Sequence, residues 1–174
     1  MEKIKVLIAD DHRVVREGLA AILKTKDDIN VVGEAQDGVE AVEKTRTLLP
    51  DVVLMDVSMP RMGGVEATRQ IKREFPHIGI VALTMYEEQQ YIFDLVRAGA
   101  TGYLLKDSES SQIVAAIRAI YRGESLIACA AWALSEAGAQ LFDDALPWEW
   151  VSDQEVPLAL HDGRVHGTQE LTPA

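Results

Sequence analysis

Two kinds of stretch alternate along the first two-thirds of this chain. Short, nearly continuous apolar runs rich in β-branched residues are followed by longer segments with apolar positions at helical spacing. The runs are "IKVLIA" (4–9), "INVVGEA" (29–35), "DVVLM" (51–55), "IGIVALT" (78–84) and "TGYLL" (101–105). Their length and composition predict buried strands. In "HRVVREGLAAILKTK", Val14, Val15, Leu19, Ile22 and Leu23 recur at helical spacing, with Lys24 and Lys26 at the end; this predicts a helix with favourable charge in its last turn. Further helices are predicted over "GVEAVEKTRTLL", stopped by Pro50, and "GVEATRQIKREF", stopped by Pro76. The last two are "EEQQYIFDLVRAG", ending at Gly99, and "SESSQIVAAIRAIYRG", ending at Gly123.

Five strand–helix units in about 120 residues predict an α/β domain, a parallel sheet covered by helices on both faces. Right-handed crossovers leave few topologies for it. Beyond Gly123 the pattern degrades. "CAAWALSEAGAQLF" offers one more helix near 126–142, with Trp132, Leu134 and Leu141 on it. Pro147, Pro157, Pro173 and "HDGRVHG" punctuate residues 143–174 as irregular chain.

Charge sharpens that boundary. The net charge is −11 over 174 residues. Residues 1–122 hold 19 acids and 16 bases, whereas 123–174 hold nine acids and one base, Arg164. The expected organisation is therefore a domain over 1–123 and an acidic linker or tail over 124–174. An acidic balance of this size argues against a dominant nucleic-acid surface. A single cysteine, Cys129, excludes an internal disulfide framework and points to the cytoplasm. The short apolar run at the N-terminus is not a signal peptide, and no segment has the length of a membrane span.

In an open parallel sheet, ligands bind outside the carboxyl ends of the strands. The polar residues expected there are Asp10 and Asp11 after the first strand, Asp56 after the third, Thr84 after the fourth and Lys106 after the fifth. Converging carboxylates repel one another unless a cation lies among them. Hard oxygen ligands on an open rim suit Mg²⁺. A carboxylate nucleophile, a hydroxyl, an ammonium and a metal are the parts phosphoryl transfer needs. Asp56 is the best nucleophile, because the loop after it can aim N–H groups at an incoming phosphoryl group and Gly63 and Gly64 relax its backbone.

Each residue alone has a plainer reading. An acidic pair before a helix is commonly a cap, Thr84 a strand residue and Lys106 a solvated charge. His12 reads as a surface residue of the first helical turn, and His161 and His166 as solvated loop residues. Coincidence lifts the main set, since all its members fall at one end of one sheet.

With "VLIADDHRVVREGL", "VVGEAQDGVEAV", "DVVLMDVSMPRMGGVEA", "IVALTMYEEQQYIFDLVRAGATGYLLKD" and "IVAAIRAIYRGE" in order, residues 4–124 resemble the receiver domain of bacterial two-component response regulators. The likeness is to the NarL/FixJ branch, usually joined to a LuxR-type helix-turn-helix. It implies a flavodoxin-like, doubly wound five-stranded sheet in the order 2-1-3-4-5. It also implies that Asp56 accepts phosphate from a histidine kinase, with Mg²⁺ bound by Asp10, Asp11, Asp56 and the Ser58 carbonyl. Thr84 and Lys106 would hold the phosphoryl oxygens, and Tyr103 would move with Thr84. Such a switch catalyses its own phosphorylation and controls an output, in this family transcription; a homodimer is one form it takes.

Three departures stand out. Gly63 occupies a position where many receivers have aspartate, which predicts a change in local capping. Asp107 stands where many have proline, and is expected to cap the last helix. The tail lacks the basic recognition helix of the family's DNA-binding domain. Its last residues, "QELTPA", resemble the opening of that domain, so the chain is either cut just before it or carries unrelated sequence. No DNA binding is expected of it as it stands.

Three rival readings carry less. A haloacid dehalogenase-like phosphatase wants its nucleophile on the first strand in a D-x-D arrangement, and this chain has adjacent acids there. A pure interaction module would lack Asp56, Thr84 or Lys106, and all three are present. A DNA-binding transcription factor is opposed by the tail's charge.

Overall fold

The computed structural model describes residues 2–85 and 89–126, the side chains of 89–91 excepted. Strands β1 (Ile4–Ala9), β2 (Ile29–Ala35), β3 (Val52–Asp56), β4 (Gly79–Thr84) and β5 (Gly102–Leu105) alternate with α1 (Arg13–Lys24), α2 (Gly38–Leu48), α3 (Gly64–Glu74), α4 (Gln89–Ala98) and α5 (Ser110–Tyr121). All strand pairings are parallel, in the order β2-β1-β3-β4-β5. This is the flavodoxin-like arrangement expected from the sequence.

Burial explains the sequence pattern. Every residue of β3 and β4 is buried, so central strands covered on both faces read as unbroken apolar runs. One core joins β1, β3 and β4 to α1 and α5 through Leu23, Val114 and Ile117. Across the sheet, Leu7, Val53 and Ile80 pack against Val42 of α2 and Ile71 of α3. A third cluster sets Val57 and Ala82 against Leu95 of α4, with the half-buried Tyr103 packed on it. β2 lies at the edge and steps past Val32, its partner changing from Val6↔Val31 to Leu7↔Gly33.

Helix ends follow the predicted stop signals. Leu49 before Pro50 takes a left-handed φ of +46°, as proline bars its neighbour from the right-handed helix. Gly99 and Gly123 follow α4 and α5 at φ +93° and +89°, where a side chain would be strained. Gly63, the N-cap of α3, supplies no side-chain hydrogen bond, which is the predicted change in capping. The cap expected at Asp107 lies elsewhere. Ser108 N–H bonds Leu105 C=O at 3.0 Å, and this turn keeps Asp107 outside the helix. Glu109 is the N-cap instead, its N–H donating to the Gln112 side chain at 3.0 Å.

Register brings the strand tips level. Ala9 is opposite Met55, Asp56 opposite Leu83, and Thr84 opposite Leu105. The residues that end or follow these strands therefore emerge along one edge. Among the described residues no helix is long and apolar enough to cross a membrane. Apart from Leu126, the predicted helix near 126–142 and the irregular 143–174 lie outside the described residues.

Candidate functional site

Asp10 and Asp56, at the tips of neighbouring strands, are 0% and 2% exposed. Lys106 reaches both from the end of β5, its Nζ 2.6 Å from Asp10 Oδ2 and 3.0 Å from Asp56 Oδ2. Its backbone N–H donates to Thr84 C=O at 2.7 Å, so the lysine is pinned to the tip of β4. The two Oδ2 atoms lack a well-aligned hydrogen bond despite the nearby ammonium. Buried carboxylate oxygens with incomplete hydrogen bonding are a costly arrangement.

The electrostatics reflect this. Burial is the largest influence on Asp56 and pushes its carboxyl up from 3.8 to about 6. Lys106 opposes the rise and the charge of Asp10 reinforces it. For Lys106, burial alone would favour the neutral amine, but its ion pairs with Asp10 and Asp56 hold it above its ordinary value. The single ammonium thus offsets the cost of burying the Asp56 charge only in part.

Asp11 stands on the rim, its side chain 32% exposed. Ligand atoms of Asp10, Asp11, His12 and Asp56 all lie within 4.8 Å of one another. The donors are mostly hard carboxylate oxygens, two lack good hydrogen bonds, and one side is open to water. That set fits a divalent cation such as Mg²⁺, which retains several waters. Ser58, exposed in the loop after β3, donates its N–H to Asp56 Oδ1 at 3.2 Å. Thr84 is buried. Ala82 and Thr84 are opposite Tyr103 and Leu105, so Thr84 and Tyr103 lie on one face of the sheet, two positions apart. Tyr103 belongs to the α4-side cluster rather than to the group of acids.

His12, set down from the sequence as a surface residue, is indeed 64% exposed, yet its Nδ1 lies 3.2 Å from Asp10 Oδ1 and 2.9 Å from Asp11 Oδ1. Its position directly after the two acids was the only signal. Asp37 and Arg61 also went unnoticed. They join the start of α2 to the loop after Asp56, Arg61 Nε donating to Asp37 Oδ2 at 2.8 Å.

Fold and site together define a flavodoxin-like α/β domain with a carboxylate–lysine cluster at its strand tips. The profile of the response regulator receiver domain matches residues 6–118, and the chain belongs to that family. It is 46% identical over 125 residues to the oxygen regulatory protein NreC of Staphylococcus carnosus, covering 71% of this chain and 58% of that protein. It is 38% identical over 171 residues to the response regulator protein VraR of Staphylococcus saprophyticus, covering 98% and 81%. The second match therefore extends past residue 123. The signal receiver domain of the putative response regulator NarL from Mycobacterium tuberculosis superposes with a TM-score of 0.68 at 35% identity, covering 71% of this chain and all of that one. The chain is thus a receiver domain of the two-component response regulators, a family that accepts phosphoryl groups and controls an output. The haloacid dehalogenase alternative is not favoured.

Proposed function

We propose that Asp56 is the phosphoacceptor and that a histidine kinase is the donor. The observation that carries this is the Asp56 carboxylate at a buried strand tip, 3.0 Å from the Lys106 ammonium and among the ligand atoms of Asp10 and Asp11. Asp10, Asp11, Asp56 and the Ser58 carbonyl would hold Mg²⁺. When bound, it neutralises the carboxylates and the phosphoryl oxygens they must approach.

This chain's own residues supply the rest. An ionised Asp56 oxygen attacks phosphorus as the phosphorus–nitrogen bond of the donor phosphohistidine breaks, and the bonding pair returns to the imidazole. With its carboxyl at about 6, Asp56 is mainly ionised at neutral pH despite its burial. Lys106, 3.0 Å from Asp56 Oδ2, would exchange a carboxylate for a phosphoryl oxygen, and the Thr84 hydroxyl would donate to another. Drawing Thr84 inward would open space for Tyr103 on the same face and alter the surface formed by α4, β5 and α5. Phosphate shifts that balance only by its differential affinity for the two arrangements. Residues 1–123 would form this unit and 124–174 its linker to an output, within the cytoplasm.

Incubation with a small phosphodonor and Mg²⁺, followed by intact mass, tests the reading. One added phosphate is expected on the wild type and none on Asp56→Asn or with a chelator present. In the labelled protein the Tyr103 ring resonances should move. Phosphate retained by Asp56→Asn would remove the assignment, and an unchanged Tyr103 ring would remove the switch.

A further inference from the structure

The loop between β3 and α3 is held by more than its own sequence. At its base, Gly64 N–H donates to Val57 C=O at 2.9 Å. A Cβ on Gly64 would lie 2.0 Å from the Asp56 carbonyl oxygen, so this close approach requires glycine. At its tip, Met62 N–H bonds Pro60 C=O at 2.7 Å around Arg61, whose φ is +64°. A three-residue turn with positive φ at its centre is the rare, strained γ form, and a non-glycine residue persists there only when its surroundings fix it.

Those surroundings are the first turn of α2. Gly38 N–H donates to Met62 C=O at 3.0 Å, and a Cβ on Gly38 would come within 2.4 Å of that oxygen. Asp37, 2% exposed, divides its two carboxylate oxygens. Oδ1 accepts Glu40 N–H at 2.9 Å and caps the helix. Oδ2 accepts both Nε, at 2.8 Å, and Nη2 of Arg61. Burial tends to raise the Asp37 carboxyl, but the Glu40 amide and Arg61 outweigh it and hold it below its ordinary value. Capping of α2 needs only Oδ1. The second oxygen, and a strained residue reaching for it, serve the loop.

We infer that Asp37 and Arg61 form a positioning latch, fixing the β3–α3 loop so that Ser58 and Asp56 keep the geometry phosphoryl transfer requires. The inference rests on the assignment of Asp56 as phosphoacceptor. Neither latch residue touches the reacting atoms. They act through the seven-residue loop 57–63. Its base is held by Val57 N–H donating to Leu83 C=O and by the packing of Val57, Met59 and Met62, and the latch adds a hold at its tip.

The test compares wild type with Arg61→Gln, Asp37→Asn and the double variant. Asparagine retains an oxygen for the cap while removing the charge. Phosphorylation by a small phosphodonor with Mg²⁺ should slow about tenfold in each single variant, misplacement of roughly an ångström being sufficient. The double variant should be no slower than the singles, since one interaction is lost in all three. Arg61→Lys should recover part of the rate. Without any phosphodonor, amide exchange at Gly38 should quicken in Arg61→Gln while Val53 and Leu54 in β3 keep their protection. Wild-type rates in both single variants, accompanied only by lower thermal stability, would reduce the pair to a structural contact and overturn the latch. Wild-type protein that takes no phosphate on Asp56 would instead overturn the phosphoacceptor assignment, and the latch with it.

Discussion

A buried carboxylate beside a second one has a measurable cost, and Asp56 is where to look for it. The unfolded chain ionises this group near 3.8, the folded chain only near 6. Above pH 6 the charge is present in both states and is worse accommodated in the folded one, so it destabilises the metal-free protein. The penalty fades as pH falls and is gone below about 4, where both states are protonated. Asp56→Asn should therefore stabilise metal-free protein at pH 8 by ~1–3 kcal/mol, the order of magnitude that a rise from 3.8 to about 6 implies, and by much less at pH 4.5. Urea denaturation at the two pH values measures this; equal effects at both would show that Asp56 is not strained by its charge. The same residue scale explains what the sequence disclosed. Asp10, Asp56 and Lys106 were legible because each is the first strongly polar residue after an apolar run. Arg61 and Asp37 were not. Their meeting depends on one positive φ and on two segments 24 residues apart, neither of which leaves a periodic trace. His12 was read correctly as exposed, but its ring orientation toward the acids is set by tertiary geometry.

Elements were the most legible level, since strand burial and helical amphipathicity are written directly in residue order. β1 and β2 fall where the apolar runs predict, and helix ends obey proline and glycine. The miss at α5 is instructive: Asp107 is a good capping residue by type, but the turn closed by Ser108 N–H consumes the register it would need. The start of α3 gives the sharpest element-scale prediction. Gly64→Ala would push a Cβ to 2.0 Å from the Asp56 carbonyl, whereas a Cβ on Gly123 has nothing within 4 Å. The latter substitution meets only the strain of its left-handed φ, on the order of 1 kcal/mol. The former must move backbone against backbone at the mouth of the site, and should cost about 3 kcal/mol or more. Thermal unfolding of the two variants decides it. A Gly64→Ala protein as stable as Gly123→Ala would mean that α3 can shift outward freely, and that the loop after Asp56 is less confined than its contacts imply.

At the scale of the whole molecule, charge separates this chain from what its relatives' full length would suggest. The chain spans 58% of NreC and 81% of VraR, so activities of those entire proteins do not transfer to it by likeness. Affinity for DNA at physiological salt comes largely from Lys and Arg side chains that displace counterions from phosphates. The first 122 residues carry 16 such side chains against 19 acids, and in the domain several are already committed: Arg46 to Glu74, Arg61 to Asp37, Arg118 to Asp28 and Lys106 to the acidic cluster. Residues 123–174 add one arginine and nine acids. A duplex approaching either part meets a net negative field, which at low salt extends roughly 30 Å. The expected outcome is that the 174-residue chain shows no sequence-selective retention of DNA in a gel shift, even at low ionic strength, where electrostatic attraction is exaggerated. Phosphorylation adds further negative charge at the strand tips and should not reverse this. Selective retention of one duplex over a scrambled competitor, by phosphorylated or unphosphorylated protein, would show that the tail builds a local basic surface its composition does not suggest, and the charge argument would fail.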